Sequence, residues 1–204
     1  MTAKILKVEV DKIYLYPLGG ISKFCLPLNA SIFKELIILI AGPLSQLLAS
    51  YILIKVLPQY SNLTYNYNLG ILIFNLLPIY PLDGGKLIHL LFSTIMPFEK
   101  SLRVAIIISY ITITTYFFIN LKTLTISIVI ISMFLTYKVT EEYKQIKYVY
   151  EKFILERYLN NYNFKKSKLI TNYKNFYKNK RHLIRENNIY YLEKEYLEKK
   201  YKKI

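Results

Sequence analysis

Residues 75–86 read Asn-Leu-Leu-Pro-Ile-Tyr-Pro-Leu-Asp-Gly-Gly-Lys inside an otherwise apolar stretch. A carboxylate at membrane depth is costly, so Asp83 must face protein or water and must have a partner. Pro78 and Pro81 interrupt the helical ladder, and the backbone groups they free are tolerated there only where protein or a cavity satisfies them. Two chemistries fit Asp83. In one, it caps a helix starting at Gly84, with Lys86 as a neutralising neighbour near the positive helix end. In the other it is a metal ligand, because a carboxylate oxygen suits zinc and Gly84 and Gly85 let a second backbone approach closely. The only histidines are His89 and His182. His89 follows Asp83 by six residues, about 240° around a helix, so the two do not share a face. It reads as a polar residue beside a cavity or partner helix, and His182 as solvated.

The elements that must position Asp83 follow from composition. The chain has 204 residues, is 53% hydrophobic, and carries 28 Lys or Arg against 13 Asp or Glu, with 21 Tyr, one Cys and no Trp. A disordered chain and a disulfide-stapled domain are excluded. Cys25, without a partner in the chain, reads as a small buried hydrophobe. Leu36 to Leu57 is the clearest transmembrane helix, its one charge, Lys55, close enough to an end to reach the headgroups. Leu69 to Ile95 is apolar but broken in its middle; Val104 to Ile119 and Leu124 to Tyr137 complete about four crossings. Basic residues alternate across the loops as four spans require, placing both termini in the cytoplasm. The opening residues lack the apolar core of a secretory signal. The expected fold is mainly α: a multi-pass cell-membrane protein with a membrane-associated β segment (1–35), a transmembrane core (36–137) and a basic cytoplasmic tail (138–204). That tail holds 18 Lys or Arg against 8 Asp or Glu.

The order Asn75, Pro78, Pro81-Leu82-Asp83-Gly84-Gly85 resembles the Asn-x-x-Pro-x-x-Pro-Leu-Asp-Gly-Gly signature of the site-2 protease family of intramembrane zinc metalloproteases. Ala41-Gly42-Pro43-Leu44 is similar to the Ala-Gly-Pro segment of the preceding family helix, with Gln46 where an Asn is often found. Leu15-Tyr16-Pro17-Leu18-Gly19-Gly20 resembles the family's membrane-associated β segment. The sporulation stage IV FB branch is the nearest in pattern, sharing Leu-Leu-Pro-Ile-x-Pro-Leu-Asp-Gly-Gly-Lys-Leu, a Glu-Glu-Tyr like residues 141–143 and a Leu-Glu-Arg-Tyr like residues 155–158. The resemblance implies Asp83 as a zinc ligand and Asn75 as a contact to substrate backbone or to the developing oxyanion; the alternative for Asn75 is satisfying backbone freed by Pro78. Gly42, Pro43, Pro78, Pro81, Gly84 and Gly85 are structural in this pattern.

In the family, a His-Glu-x-x-His helix supplies two further ligands and the base that activates the zinc-bound water. This sequence has no such motif. Zn2+ is thus expected for a complete family member and not to bind tightly to this chain alone. An internal or misassigned start, a non-catalytic pseudoprotease acting as scaffold or regulator, or a complementing second chain would each explain the difference. Ile5 to Tyr16 alternates as a strand, Pro17 and Gly19-Gly20 break it, and Ile21 to Leu26 returns. Such an edge would bind an extended substrate at Gly19 and Gly20 by strand addition, or be a simple packing element.

Residues 141–159 pattern as an amphipathic helix whose apolar face would lie on the bilayer or pair with another chain. Residues 181–185 and 189–193 fit a hairpin or a helix. Relatives carry a nucleotide-sensing domain in this tail, which 67 residues without glycine argue against; anionic lipid is a simpler partner than nucleic acid. The expected function is intramembrane zinc-dependent cleavage of membrane-tethered regulators, such as precursor sigma factors, with regulatory membrane partners, the chain being truncated and inactive by itself.

Overall fold

The computed structural model describes residues 10–16, 19–24, 26–123, 125–164, 166–186 and 188–201. Strands β1 (Val10–Tyr16) and β2 (Gly19–Phe24) form an antiparallel hairpin. Gly19 and Gly20, expected to break the strand, instead pair with Tyr16 and Leu15 within it. An extended backbone accepts glycine, so both belong to the second strand. Residues 5–9 of the expected strand and Cys25 lie outside the described residues.

Helix α1 (Ile32–Val56) starts four residues before the expected span, because the Ser31 side chain accepts from the Lys34 amide and Glu35 occupies the first turn. The broken span is two helices, α2 (Ser61–Leu76) and α3 (Asp83–Ile95). Helix α2 begins well before Leu69, since Asn62, Thr64, Asn66 and Asn68 continue the helix as polar residues. Helix α4 (Phe98–Ile119) starts directly after Pro97, with Arg103 bonded back to Glu99 at 2.6 Å. Among the described residues, α1 and α4 are the two helices long and apolar enough to cross a membrane by themselves.

The last span and the amphipathic helix are one element, α5 (Ile126–Leu159), of 34 residues. At 1.5 Å per residue it is roughly 50 Å long, against the roughly 30 Å hydrocarbon thickness of a bilayer. Its outer half does not lie on the bilayer or await another chain. Ile146, Tyr150, Phe153 and Ile154 are buried against the chain's own tail, in one cluster with Ile170, Phe176, Ile184 and Leu197. The tail is a small α/β layer: β3 (Ser167–Ile170) runs parallel to β4 (Arg181–Glu186), β4 is antiparallel to β5 (Ile189–Leu192), and α6 (Glu193–Tyr201) follows. The hairpin reading of this segment holds for β4 and β5. His182 is 0% exposed, contrary to the expectation of a solvated residue, because β4 turns it inward to Phe176 and Tyr177.

Candidate functional site

The break between α2 and α3 is built by prolines and closed by glycines. Residues 77–82 leave helical geometry, and α3 restarts at Asp83 with Leu82 as its cap. A Cβ on Gly84 would overlap the carbonyls of Leu76 and Leu77, and one on Gly85 the backbone of Ile79 and Tyr80. The paired glycines therefore let the first turn of α3 lie directly on the chain that leads into it. The freed amide of Tyr80 is taken by Ser109 Oγ of α4 at 2.7 Å, while Ser109 donates to Ala105 O at 2.7 Å. Ser109 was not foreseen. Its signal is a hydroxyl within an apolar span, which must find a partner at that depth.

Asp83 does not cap α3: it stands in the first turn, and no side-chain capping bond is made there. Its carboxylate instead points across to α1. Oδ2 lies 3.9 Å from where a Cβ on Gly42 would stand, so the small residue of Ala41-Gly42-Pro43 is what leaves room beside the carboxylate. Pro43, next in sequence, cannot donate to the carbonyl one turn back. The Asp83 side chain is 29% exposed, and Lys86 Nζ is 3.5 Å from Oδ1. Asn75 is half-buried on the last turn of α2, and among the described residues its side chain makes no hydrogen bond, so the backbone freed by Pro78 is not its partner. Gln46 ties α1 to α2 through Asn68, at 2.8 Å to Oδ1 and 3.1 Å to the carbonyl.

His89 is on the far side of α3, buried against Phe98 in an edge-on contact of 5.2 Å and 3.1 Å from Ser101 Oγ. It is a packing residue of the α3–α4 junction and does not approach Asp83's face. Among the described residues there is no group of three His, Cys, Asp or Glu side chains that could hold a metal. Zinc sites use three or four protein donors. Asp83 supplies one carboxylate, so the described residues of this chain do not fit zinc by themselves.

Residues 55–119, which contain the whole break and Asp83, match the model of Peptidase family M50. Stage IV sporulation protein FB of Bacillus subtilis is 36% identical over 158 residues, 74% of this chain and 55% of that protein. The chain carries a site-2 protease domain. Zinc metalloprotease MJ0392 of Methanocaldococcus jannaschii is 27% identical over 71% of this chain and 44% of its own length. The solved site-2 protease from Methanocaldococcus jannaschii superposes with a TM-score of 0.54 at 27% identity, covering 69% of this chain and 68% of that one. The chain thus spans about half the length of the two relatives matched by sequence.

Beyond the site-2 protease domain, the structure assigns a role to Arg157 that was not read from its motif. Its side chain is 1% exposed, and all five guanidinium N–H groups are used. Nε donates to Asn29 Oδ1 at 2.6 Å; the terminal nitrogens donate to Glu193 at 2.9 Å and to the carbonyls of Lys180, Tyr177 and Lys178 at 3.0, 2.6 and 3.0 Å. Asn29 in turn donates to the Phe153 carbonyl at 2.8 Å. The segment before α1, the outer half of α5 and the tail sheet are joined at one side chain. Lys178 adds a buried ion pair to Glu35 in the first turn of α1. A signal existed: Arg157 falls at i+4 from Phe153 and i+3 from Ile154, on the apolar face of the helix.

His182 completes this network. Its Nε2 accepts the Tyr177 amide at 2.9 Å, which assigns the neutral tautomer with hydrogen on Nδ1, 3.2 Å from Glu193 Oε2. Burial holds the imidazole below its usual value, and the Arg157 charge adds to this against the pull of Glu193. Burial would raise the Glu193 carboxyl, but the hydrogen bond from His182 and the Arg157 charge hold it below the usual range.

Proposed function

We propose that this chain contributes the carboxylate half of a site-2-type intramembrane zinc metalloprotease centre, with Asp83 as a ligand, and that the complete enzyme cleaves membrane-tethered regulatory proteins. The carrying observation is the Asp83 carboxylate held in the broken span, free of capping duty and turned toward Gly42 across the α1–α3 contact. Matches to proteins named as a zinc metalloprotease and a site-2 protease support it. In this reading the remaining ligands and the general base come from a His-Glu-x-x-His helix that this sequence does not contain. Asn75, with its amide uncommitted, holds the substrate backbone or the developing oxyanion. The β1–β2 hairpin offers its edge, near Gly19 and Gly20, to an extended substrate, since strand addition exposes a peptide bond that a helix hides.

The same reading has the chain cross the membrane four times, counting α2 and α3 as one broken crossing, with both termini cytoplasmic. Contacts from Asn29 to α5, from Lys178 to α1 and from Phe176 to the start of α4 support this topology, since they join residues 29–35 and the tail at the same ends of the helices. Precursor sigma factors are the proposed substrates, from the likeness to the sporulation relative. Alone, the chain neither holds zinc stoichiometrically nor cleaves. Its single donor also favours a second reading, a non-catalytic membrane scaffold. DNA directly upstream that encodes, in frame, an apolar helix with His-Glu-x-x-His decides for the protease, and its absence decides for the scaffold. One zinc bound per purified chain overturns the one-donor assignment.

A further inference from the structure

Between the first turn of α4 and strand β3 lies a cavity of about 230 Å3, lined in part by Pro97, Lys100, Lys168, Thr171, Asn175 and Tyr177. Among the described residues no acidic side chain lines it. Three other cations of the tail have acids: Lys178 has Glu35, Arg157 has Glu193 and Lys199 has Glu186. Here Lys168 is held to the Tyr177 hydroxyl at 2.6 Å, a neutral partner. Lys100 and the side chains of Thr171 and Asn175 have no hydrogen-bond or ion-pair partner among the described residues. Two ammonium groups, a hydroxyl and an amide facing one recess form a donor set without its acceptor, and oxygen atoms bearing negative charge are the acceptors that two ammonium groups bind best. The recess also has a defined level. Pro97 directly precedes α4, one of the two helices able to cross a membrane, so the cavity opens at the end of a span, where headgroups lie.

We propose that this recess binds a phosphate-bearing anion at the membrane surface, presented by a lipid headgroup or carried by a soluble phosphate. Lys100 and Lys168 supply the charge, and Thr171 and Asn175 orient the oxygens. Because β3 belongs to the tail sheet and Lys100 to α4, one bound phosphate ties the tail to the membrane body. The assignment is independent of Asp83 and of any metal.

The test uses the full chain in dodecyl maltoside at fixed ionic strength, titrated separately with dioleoylphosphatidylglycerol, dioleoylphosphatidylcholine and inorganic pyrophosphate, with apparent Kd read by thermophoresis. Saturable binding of phosphatidylglycerol or of pyrophosphate is expected, weakened at least about tenfold in Lys168→Glu and in Lys100→Glu. Lys194→Glu, the same charge change on an exposed part of the tail, is expected to change it less than about twofold. Phosphatidylglycerol binding alone assigns the lipid as source, and pyrophosphate binding alone assigns the soluble anion; either supports the site. No saturable binding of either, equal binding of the phosphatidylcholine, or equal loss in Lys194→Glu overturns it. Lys100 is exposed and has no hydrogen-bond or ion-pair partner among the described residues, so Lys100→Glu reads the site even where Lys168→Glu disturbs Tyr177.

Discussion

Replacing Arg157 with Met keeps much of the side-chain volume but removes all five donors at the junction of tail, α5 and the segment before α1. Glu193 keeps His182 yet loses the one full positive charge paired with it among the described residues, and Asn29 Oδ1 and three carbonyls lose a donor each. Breaking a buried ion pair from one side costs about 3–5 kcal/mol, because the partner charge stays behind. Neutral acceptors left unsatisfied add to this, though bonds to one side chain do not sum. The loss falls on a local unit, so hydrogen exchange is a better assay than a global melt. The amides of Tyr177 and His182 report directly, bonded to His182 Nε2 and Glu193 Oε2 at 2.9 Å each. At 1.36 kcal/mol per factor of ten, their exchange should speed up by about 10²- to 10⁴-fold. Arg185→Met, on the same sheet but exposed and, among the described residues, hydrogen-bonded only to Asn188, is the control and should leave them within about threefold. Acceleration below about tenfold at Tyr177 and His182, or the same effect in the control, would refute the role of Arg157 as the junction.

The same network sets a pH dependence. His182 has a folded pKa below its unfolded one, so the unfolded tail binds the extra proton and docking weakens as pH falls below about 6.5, by at most about 1.4 kcal/mol per unit. The depressed Glu193 carboxyl extends the loss below about pH 4.5. Exchange at Tyr177 that is flat between pH 7 and 5, after correction for the intrinsic rate, would contradict this. Gly84→Ala and Gly85→Ala should each destabilise the α2–α3 break by at least about 1–3 kcal/mol, seen as a lower melting temperature in detergent, since the clash is with backbone that cannot rotate away. Ser109→Ala should cost about 1–3 kcal/mol by orphaning the Tyr80 amide, whereas Ser93→Ala, whose hydroxyl donates only within its own helix, should cost less. In a complete enzyme containing the His-Glu-x-x-His helix, Asp83→Asn should abolish cleavage of a membrane-tethered substrate and lower bound zinc, with the melting temperature little changed; cleavage at the unaltered rate removes Asp83 from the ligand set.

How much of this was legible in the sequence differs by element. The broken span was, because proline and glycine act on the backbone locally and do so wherever they stand. The β4–β5 hairpin was one of two readings the sequence left open, and what favours it is that asparagine tolerates the left-handed backbone that Asn188 adopts, with φ of 63°. The continuity of α5 was not, since hydropathy marks where lipid contact ends and says nothing of where the helix ends. His182 was misjudged by its type, and Arg157 was noted only as part of Leu-Glu-Arg-Tyr. A histidine in a basic tail reads as solvated, and only a sheet folded against α5 supplies the acceptors that make the burial of His182 and Arg157 tolerable.

The sequence by itself determined where the chain is apolar, where its backbone must break, and that one carboxylate stands at that break beside two glycines, all of them properties of short windows. Tertiary structure alone decided what each polar group faces: Asp83 toward Gly42 and away from its own helix end, Ser109 on the Tyr80 amide, and Arg157 on Asn29, 128 residues away. A buried polar atom takes whichever partner packing brings within hydrogen-bond reach, and packing is settled by the whole chain at once.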